Sequence, residues 1–250
     1  MNRSTRRAVK DFIKQFALGR IAKAKKYSID DLKKAYPFHA LFFRDDALIA
    51  FKLQRSIVTA MGRGFYPKIA SLIAAERYKD VRLDYKLVED LDTNQCNKIE
   101  EIVTELRTRR RKPSHAREMS EILSARGREK RLSTVIADLY VGDFQSGPLF
   151  AEIKTPLPNL DILAESKKKL LYFQAIMNAR GENTRDAYLA LHHNPFVKRD
   201  LYAWPYTPMV FDMKEEVLIA EEFWDKIGGS GTYDELRSII EELQGEIPLG

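Results

Sequence analysis

Apolar side chains recur at helical spacing through the first half of the chain. In residues 4–26, Val9, Phe12, Ile13, Phe16, Ala17 and Ile21 share one face, while Arg3, Arg6, Arg7, Lys10 and Lys14 take the other. Such a basic face suits DNA backbone contact, a second subunit, or simple solvation. Ser28, three positions before Asp31, fits the N-cap of a short helix. Residues 44–61 predict another helix with Leu48, Phe51 and Val58 inward, ended by Gly62 and Gly64. Pro67 opens a helix reaching residue 77. Residues 78–91 are mixed and read as an extended connection. Helical spacing returns over 95–107, through Ile99, Ile102, Val103 and Leu106, until Pro113 breaks it. It returns again over 115–127, closed by Gly127.

The period then changes. Two short apolar runs, 135–141 and 149–154, flank a polar turn at 142–148, the pattern of two neighbouring strands. Alternation places Ile136, Asp138 and Tyr140 on one face, opposite Val135, Ala137 and Leu139. In the second run Phe150, Glu152 and Lys154 share a face. Two prolines keep 155–159 extended, and Asn159 is placed either to cap the next helix or to read an adenine. Residues 161–180 predict a helix closed by Gly181, 187–193 a strand, and 209–213 a further strand. Residues 215–227 predict an acidic helix. Thr232 with Glu235 resembles a capping box for the last one. In the strand 187–193, alternation would point His192 and His193 to opposite faces, which argues against a two-histidine metal site.

Composition narrows the class. The length, 250 residues, fits one domain, and 44% hydrophobic content supports a sizeable core. One cysteine excludes a disulfide framework and a thiolate zinc site, and fits a reducing cytoplasm. No apolar run reaches membrane-spanning length, and the N-terminus has no signal-peptide core. The net charge of +6 is unevenly spread. Residues 1–26 hold nine Lys/Arg against one acid, 107–131 ten against three, and 212–250 three against eleven. This polarity predicts a basic working face, with nucleic acid as the polyanion, and an acidic outer layer. The run Arg109, Arg110, Arg111, Lys112 is the foremost phosphate-contact candidate, because guanidinium groups match phosphate bidentately. Lys167, Lys168 and Lys169 fan around their helix, and one of them, Lys167 in this reading, meets a phosphate. Thr155 and Asn159 are candidate DNA contacts in the loop after the second strand.

Asp138 on one strand, with Glu152 and Lys154 on the next, form the central chemical constellation. Charges inside apolar runs are costly unless paired or metal-bound. Two carboxylates, a backbone carbonyl and waters suit hard Mg²⁺. A divalent metal there would activate water for phosphodiester hydrolysis, with Lys154 holding the water or the phosphate. A structural ion pair on an open strand face is the competing reading.

These residues resemble the PD-(D/E)XK nuclease superfamily, with Asp138 as the first acid and Glu152-Ile153-Lys154 as the E-x-K. Four blocks are similar, in order, to those of TdeIII-type type II restriction endonucleases: PFHALFFRDDALIAFKLQRSI from Pro37, IADLY from Ile136, LFAEIKTPLPN from Leu149, and VLIAEEFWDKIGGSGTYDEL from Val217. The resemblance implies an α/β fold with a PD-(D/E)XK-like core, a small mixed β-sheet flanked by helices. It implies one nuclease domain over 1–250, with helices over residues 1–130, a catalytic sheet core over 131–213 and acidic helices over 214–250. It also implies Mg²⁺-dependent cleavage of double-stranded DNA at a short, GC-rich, interrupted palindrome of the form GGNCC, by a cytoplasmic prokaryotic enzyme. A palindrome is read economically by a homodimer. Asp138 and Glu152 would be the metal ligands, and Asp138, Glu152 and Lys154 the catalytic set. Such nucleases often carry a helix-borne acid in a Phe-Glu-Pro step. This chain has Phe65-Tyr66-Pro67 there, which leaves Glu76 as a candidate third carboxylate. A structure-selective or repair nuclease, and a non-cleaving DNA-binding protein, are the alternatives.

Overall fold

Five strands form one mixed sheet in the order β1-β2-β3-β4-β5. They are β1 (Val81–Asp92), β2 (Lys130–Val141), β3 (Leu149–Lys154), β4 (Ala187–Leu191) and β5 (Val217–Ile219). The first three pair antiparallel, and β3, β4 and β5 run parallel. A parallel step needs a crossover, and helix α8 (Leu160–Ala179) supplies the one between β3 and β4. The computed structural model describes residues 1–24, 26–182 and 186–247. This is the α/β architecture expected from the sequence, a mixed sheet flanked by helices.

Helices cover both faces. On one lie α6 (Thr93–Arg107), α7 (His115–Ser124), α8 and the short α9 (Thr207–Val210), packed on Leu87, Val135, Phe150, Leu189 and Val217. On the other lie α1 (Arg3–Ala24), α5 (Tyr66–Ala74), α10 (Glu221–Gly228) and α11 (Thr232–Glu246), packed on Leu139, Leu149, Ala151 and Ile153. Helices α2 (Ile29–Ala35), α3 (Pro37–Phe42) and α4 (Asp45–Ala60) form an arm between α1 and α5. Ser28 caps α2, its hydroxyl accepting from the Asp31 amide.

Several sequence expectations give way to tertiary pairing. Residues 78–91 hold all but the last residue of β1, a twelve-residue strand. Most of its charged positions line the exposed side, and its inward residues pass from one core, Val81 and Leu83, to the other, Tyr85, Leu87 and Leu91. Gly62 and Gly64 do not end α4; a π-helical turn, Met61–Phe65, carries the chain into α5. The 209–213 segment holds the end of α9 rather than a strand. The expected helix 215–227 begins as strand β5, because Val217-Leu218-Ile219 completes the sheet beside β4. Thr232 does not cap α11 but donates its hydroxyl to the Gly229 carbonyl. At the end of β2, Gly142 donates its amide to the Asp80 carbonyl, and a Cβ there would collide with the Asp80 carboxylate.

Part of the charge asymmetry is neutralised inside the molecule. Arg6, Lys10 and Lys14 pair with Glu242 and Glu246, so the basic face of α1 docks on acidic α11. That stripe is an intramolecular seam rather than a DNA-facing surface.

Candidate active site

The β2–β3 ladder is short: Val141 pairs with Leu149, Tyr140 with Phe150, Leu139 with Ala151. Beyond Leu139 the strands diverge, and β2 continues paired only with β1. Asp138 stands at this fork. Its Oδ2 accepts the Ile153 amide at 2.8 Å, so a side chain takes over where the backbone ladder stops.

The pleat also changes phase here. Val135 and Ala137 belong to the core under α6 and α8, while Leu139 and Val141 belong to the opposite one. The same switch occurs on β1 between Leu83 and Leu87, around Asp84 with φ of 48°. Simple alternation therefore fails for the first strand: Tyr140 faces the same core as Ala137, not the opposite one. A side chain at such a switch is not committed to either core, and Asp138 keeps 23% of its side chain exposed.

Glu152 and Lys154 follow on β3. Lys154 Nζ lies 2.9 Å from Asp138 Oδ2 and 2.7 Å from Glu152 Oε1, so the ammonium bridges both acids. Glu152 is almost fully buried, and its Oε2 has no hydrogen-bond partner. Burial, then the nearby Asp138 charge, raise its pKa, and Lys154 and Lys169 only partly offset this. For Lys154, burial alone would lower the pKa, but Glu152 and Asp138 outweigh it and hold the group as ammonium. A charged Lys154 can orient or stabilise an anion; it cannot take a proton.

Lys169 is not singled out for this site by sequence reasoning. It lies on α8, and its Nζ is 2.8 Å from Glu152 Oε1. The available signal is the Lys167–Lys169 run itself, on the crossover helix that returns over β3. Which of the three lysines faces the site depends on the helix rotation, which sequence spacing does not fix.

The donor set fits a hard divalent cation. Two carboxylates from adjacent strands converge, one with an orphaned buried oxygen, and Mg²⁺ commonly uses one or two carboxylates with water filling the rest. Among the described residues no cluster of three or more His, Cys, Asp or Glu forms a metal cage. Glu76 does not join the pair: its carboxylate accepts the Asn2 amide at the start of α1. Tyr66, in place of the helix-borne acid, stacks on His192 with ring centroids 3.4 Å apart, and burial pushes its hydroxyl up to about 12.

The expected DNA contacts divide. Arg109, Arg110 and Lys112 are exposed in the turn after α6, with Arg109 at φ 59°. Arg111 is not available: it is fixed between Glu105 and Glu121 at 2.8 and 2.7 Å, with 11% of its side chain exposed. Lys167 is fully buried between Glu118 and Glu216, with His115 on the other side of Glu216, and so is a structural cation. Thr155 is exposed beside Lys154. Asn159 caps α8, its Oδ1 accepting the Ile162 amide at 2.8 Å. Tyr202 and Trp204 tie down the loop between them by donating to the Pro156 and Pro158 carbonyls. His192 and His193 do not diverge, since the strand ends at Leu191 and their Nδ1 atoms lie 2.9 Å apart.

Comparison with known proteins bears on this geometry. The family model described as type II restriction endonuclease, HinfI, matches residues 1–244. The type II restriction enzyme HgiEI of Herpetosiphon aurantiacus is 26% identical over 260 residues, covering 97% of this chain and 94% of its own. HgiCII of the same organism is 30% identical over 217 residues, covering 85% and 78%. MjaII of Methanocaldococcus jannaschii is 25% identical, covering 86% and 65%. No solved structure gives a significant match. The resemblance read from the sequence blocks and this family match agree at the level of type II restriction endonucleases. The chain belongs to the HinfI family of type II restriction endonucleases and is a site-specific deoxyribonuclease.

Proposed function

We propose that DNA is cleaved at the β2–β3 fork by a PD-(D/E)XK-type site in which Asp138 and Glu152 hold Mg²⁺ and Lys154 positions the reacting groups. The observation that carries this is the convergence of Asp138, Lys154 and the half-orphaned Glu152 where the strands diverge. The metal, when bound, supplies charge stabilisation at the phosphoryl group and lowers the pKa of its water. Asp138 is held in place by the Ile153 amide, so its free oxygen is fixed in direction. Glu152 Oε2 is already desolvated, and a cation replaces solvation it has lost. Lys154, kept charged by the two acids, would orient the scissile phosphate or the attacking water.

The finer assignment follows the sequence resemblance: a TdeIII-like enzyme acting on a GGNCC-like site, as a homodimer, in the prokaryotic cytoplasm. A two-fold duplex site favours paired readers. Helix α3 supports a second copy, because it leaves Phe38, Leu41 and Phe42 more than three-quarters exposed. Plasmid digestion with Mg²⁺, against an EDTA control, tests the reading. Discrete bands that need the metal support it. A smear means a general or structure-selective nuclease. An intact plasmid with a gel shift means a binder that does not cut.

A further inference from the structure

Helices α1 and α4 face each other across a groove of about 960 Å³. Phe12, Phe16, Arg20 and Lys23 line it from α1, at spacings that put them on one helical face. From α4 come Lys52, Arg55 and the hydroxyls of Ser56 and Thr59, again on one face. The π-helical turn and α5 add Gly64 and Lys68.

Five of the lining side chains are cations and none is a carboxylate. Several other basic groups are neutralised within the molecule. Arg6, Lys10 and Lys14 of α1 are neutralised by α11, Arg111 by Glu105 and Glu121, and Lys167 by Glu118 and Glu216. By contrast, Arg20, Lys23, Lys52, Arg55 and Lys68 have no carboxylate partner among the described residues. Arg20 instead lies over the Phe16 ring, 5.0 Å from its centroid, and Lys52 donates to the Tyr36 hydroxyl. Like charges gathered without counter-charge repel one another and lower stability unless an anion fills the space between them. Hydroxyls interleaved with cations are the donor set that phosphate oxygens take.

The groove also touches the strand beside the site. Its floor reaches Leu83 on β1, which pairs with Leu139 on β2, the neighbour of Asp138. We propose that this groove binds the sugar–phosphate backbone of the DNA substrate on its way to the β2–β3 fork. The proposal rests on the reading of that fork as the cleavage site, and its test separates the two.

The test measures binding of a mixed-sequence DNA duplex in EDTA across a salt series, for the wild type and for the double variant Lys52→Gln/Arg55→Gln. Both positions lie on the surface of α4, and melting temperature checks that the variant folds. The proposal expects weaker binding and a slope of log K against log salt shallower by about two units, near 0.9 per lost contact. A second double variant on the opposite wall, Arg20→Gln/Lys23→Gln, should behave alike and serves if the first does not fold. Unchanged affinity and slope in a folded variant overturn the proposal. So does a change confined to sedimentation, which would make the groove a subunit contact. Wild-type protein that binds duplex with the steep slope but leaves plasmid intact in Mg²⁺ would sink the cleavage reading and leave the groove standing. Cleaving protein whose slope ignores both double variants would do the reverse.

Discussion

Lys169 on α8 and Lys154 on β3 both reach the same oxygen of Glu152, at 2.8 and 2.7 Å, while the other oxygen is buried without a partner. Burial and Asp138 raise the pKa of Glu152, and the two lysines pull it back. Removing Lys169 removes a lowering influence, so the pKa must rise further. If cleavage needs ionised Glu152, the acid limb of the Lys169→Met pH–rate profile moves to higher pH, while rates well above it approach wild type. Lys169→Arg should restore the original limb. A limb that stays put in a folded Lys169→Met protein would reduce Lys169 to a structural ion pair.

The α1–α11 seam makes stability depend on acid pH. The Arg6 and Lys10 side chains hold Glu242 down at about 2, against an ordinary value of 4.5. Its folded pKa is depressed, so the unfolded chain binds its proton first. The contribution is therefore fully present above about 4.5 and is lost as pH falls toward 2. Thermal melts of Glu242→Gln should lie below wild type at neutral pH and converge with it near pH 2. A constant gap at all pH values would contradict this.

Lys167 and Arg111 read from the sequence as phosphate contacts, and the structure gives both to internal carboxylates. Lys167→Met takes the ammonium from buried Glu118 and leaves buried Glu216 with His115 alone beside it, which should cost ~3–5 kcal/mol of stability. Arg111→Ala should also lower the melting temperature, whereas Arg109→Ala and Arg110→Ala should fold normally and make the salt slope of DNA binding shallower by about 0.9 each. Stable Lys167→Met protein with a shallower slope would return Lys167 to the DNA surface.

These cases mark what is legible in the chain. Asp138, Glu152 and Lys154 can be picked out because charged groups interrupt apolar runs where burial is costly. The long helices are legible from their period. Strand β1 is less so, because charged residues fill its alternate positions and its inward side chains pass from one core to the other around Asp84, and β5 is three residues long and owes its existence to β4. The role of each lysine in 167–169 depends on how α8 is rotated against the sheet, and only packing sets that. The charge blocks are visible, but α1 and α11, at opposite ends of the chain, neutralise each other. The uncompensated groove between α1 and α4 is hidden for the same reason: which cations stay unpaired is a property of the fold.

Asp138 is the residue on which the proposed cleavage at the β2–β3 fork depends. Asp138→Asn removes one charge and almost no volume, so it should fold like wild type. It should bind duplex at least as well without metal, because repulsion between carboxylate and phosphate is relieved. Metal affinity should fall, and plasmid cleavage should drop by orders of magnitude. Lys154→Ala, measured beside it, should lose cleavage yet keep most metal binding, since ammonium is not a ligand. A well-folded Asp138→Asn protein that cuts plasmid at the wild-type rate would contradict the account and move the active site elsewhere.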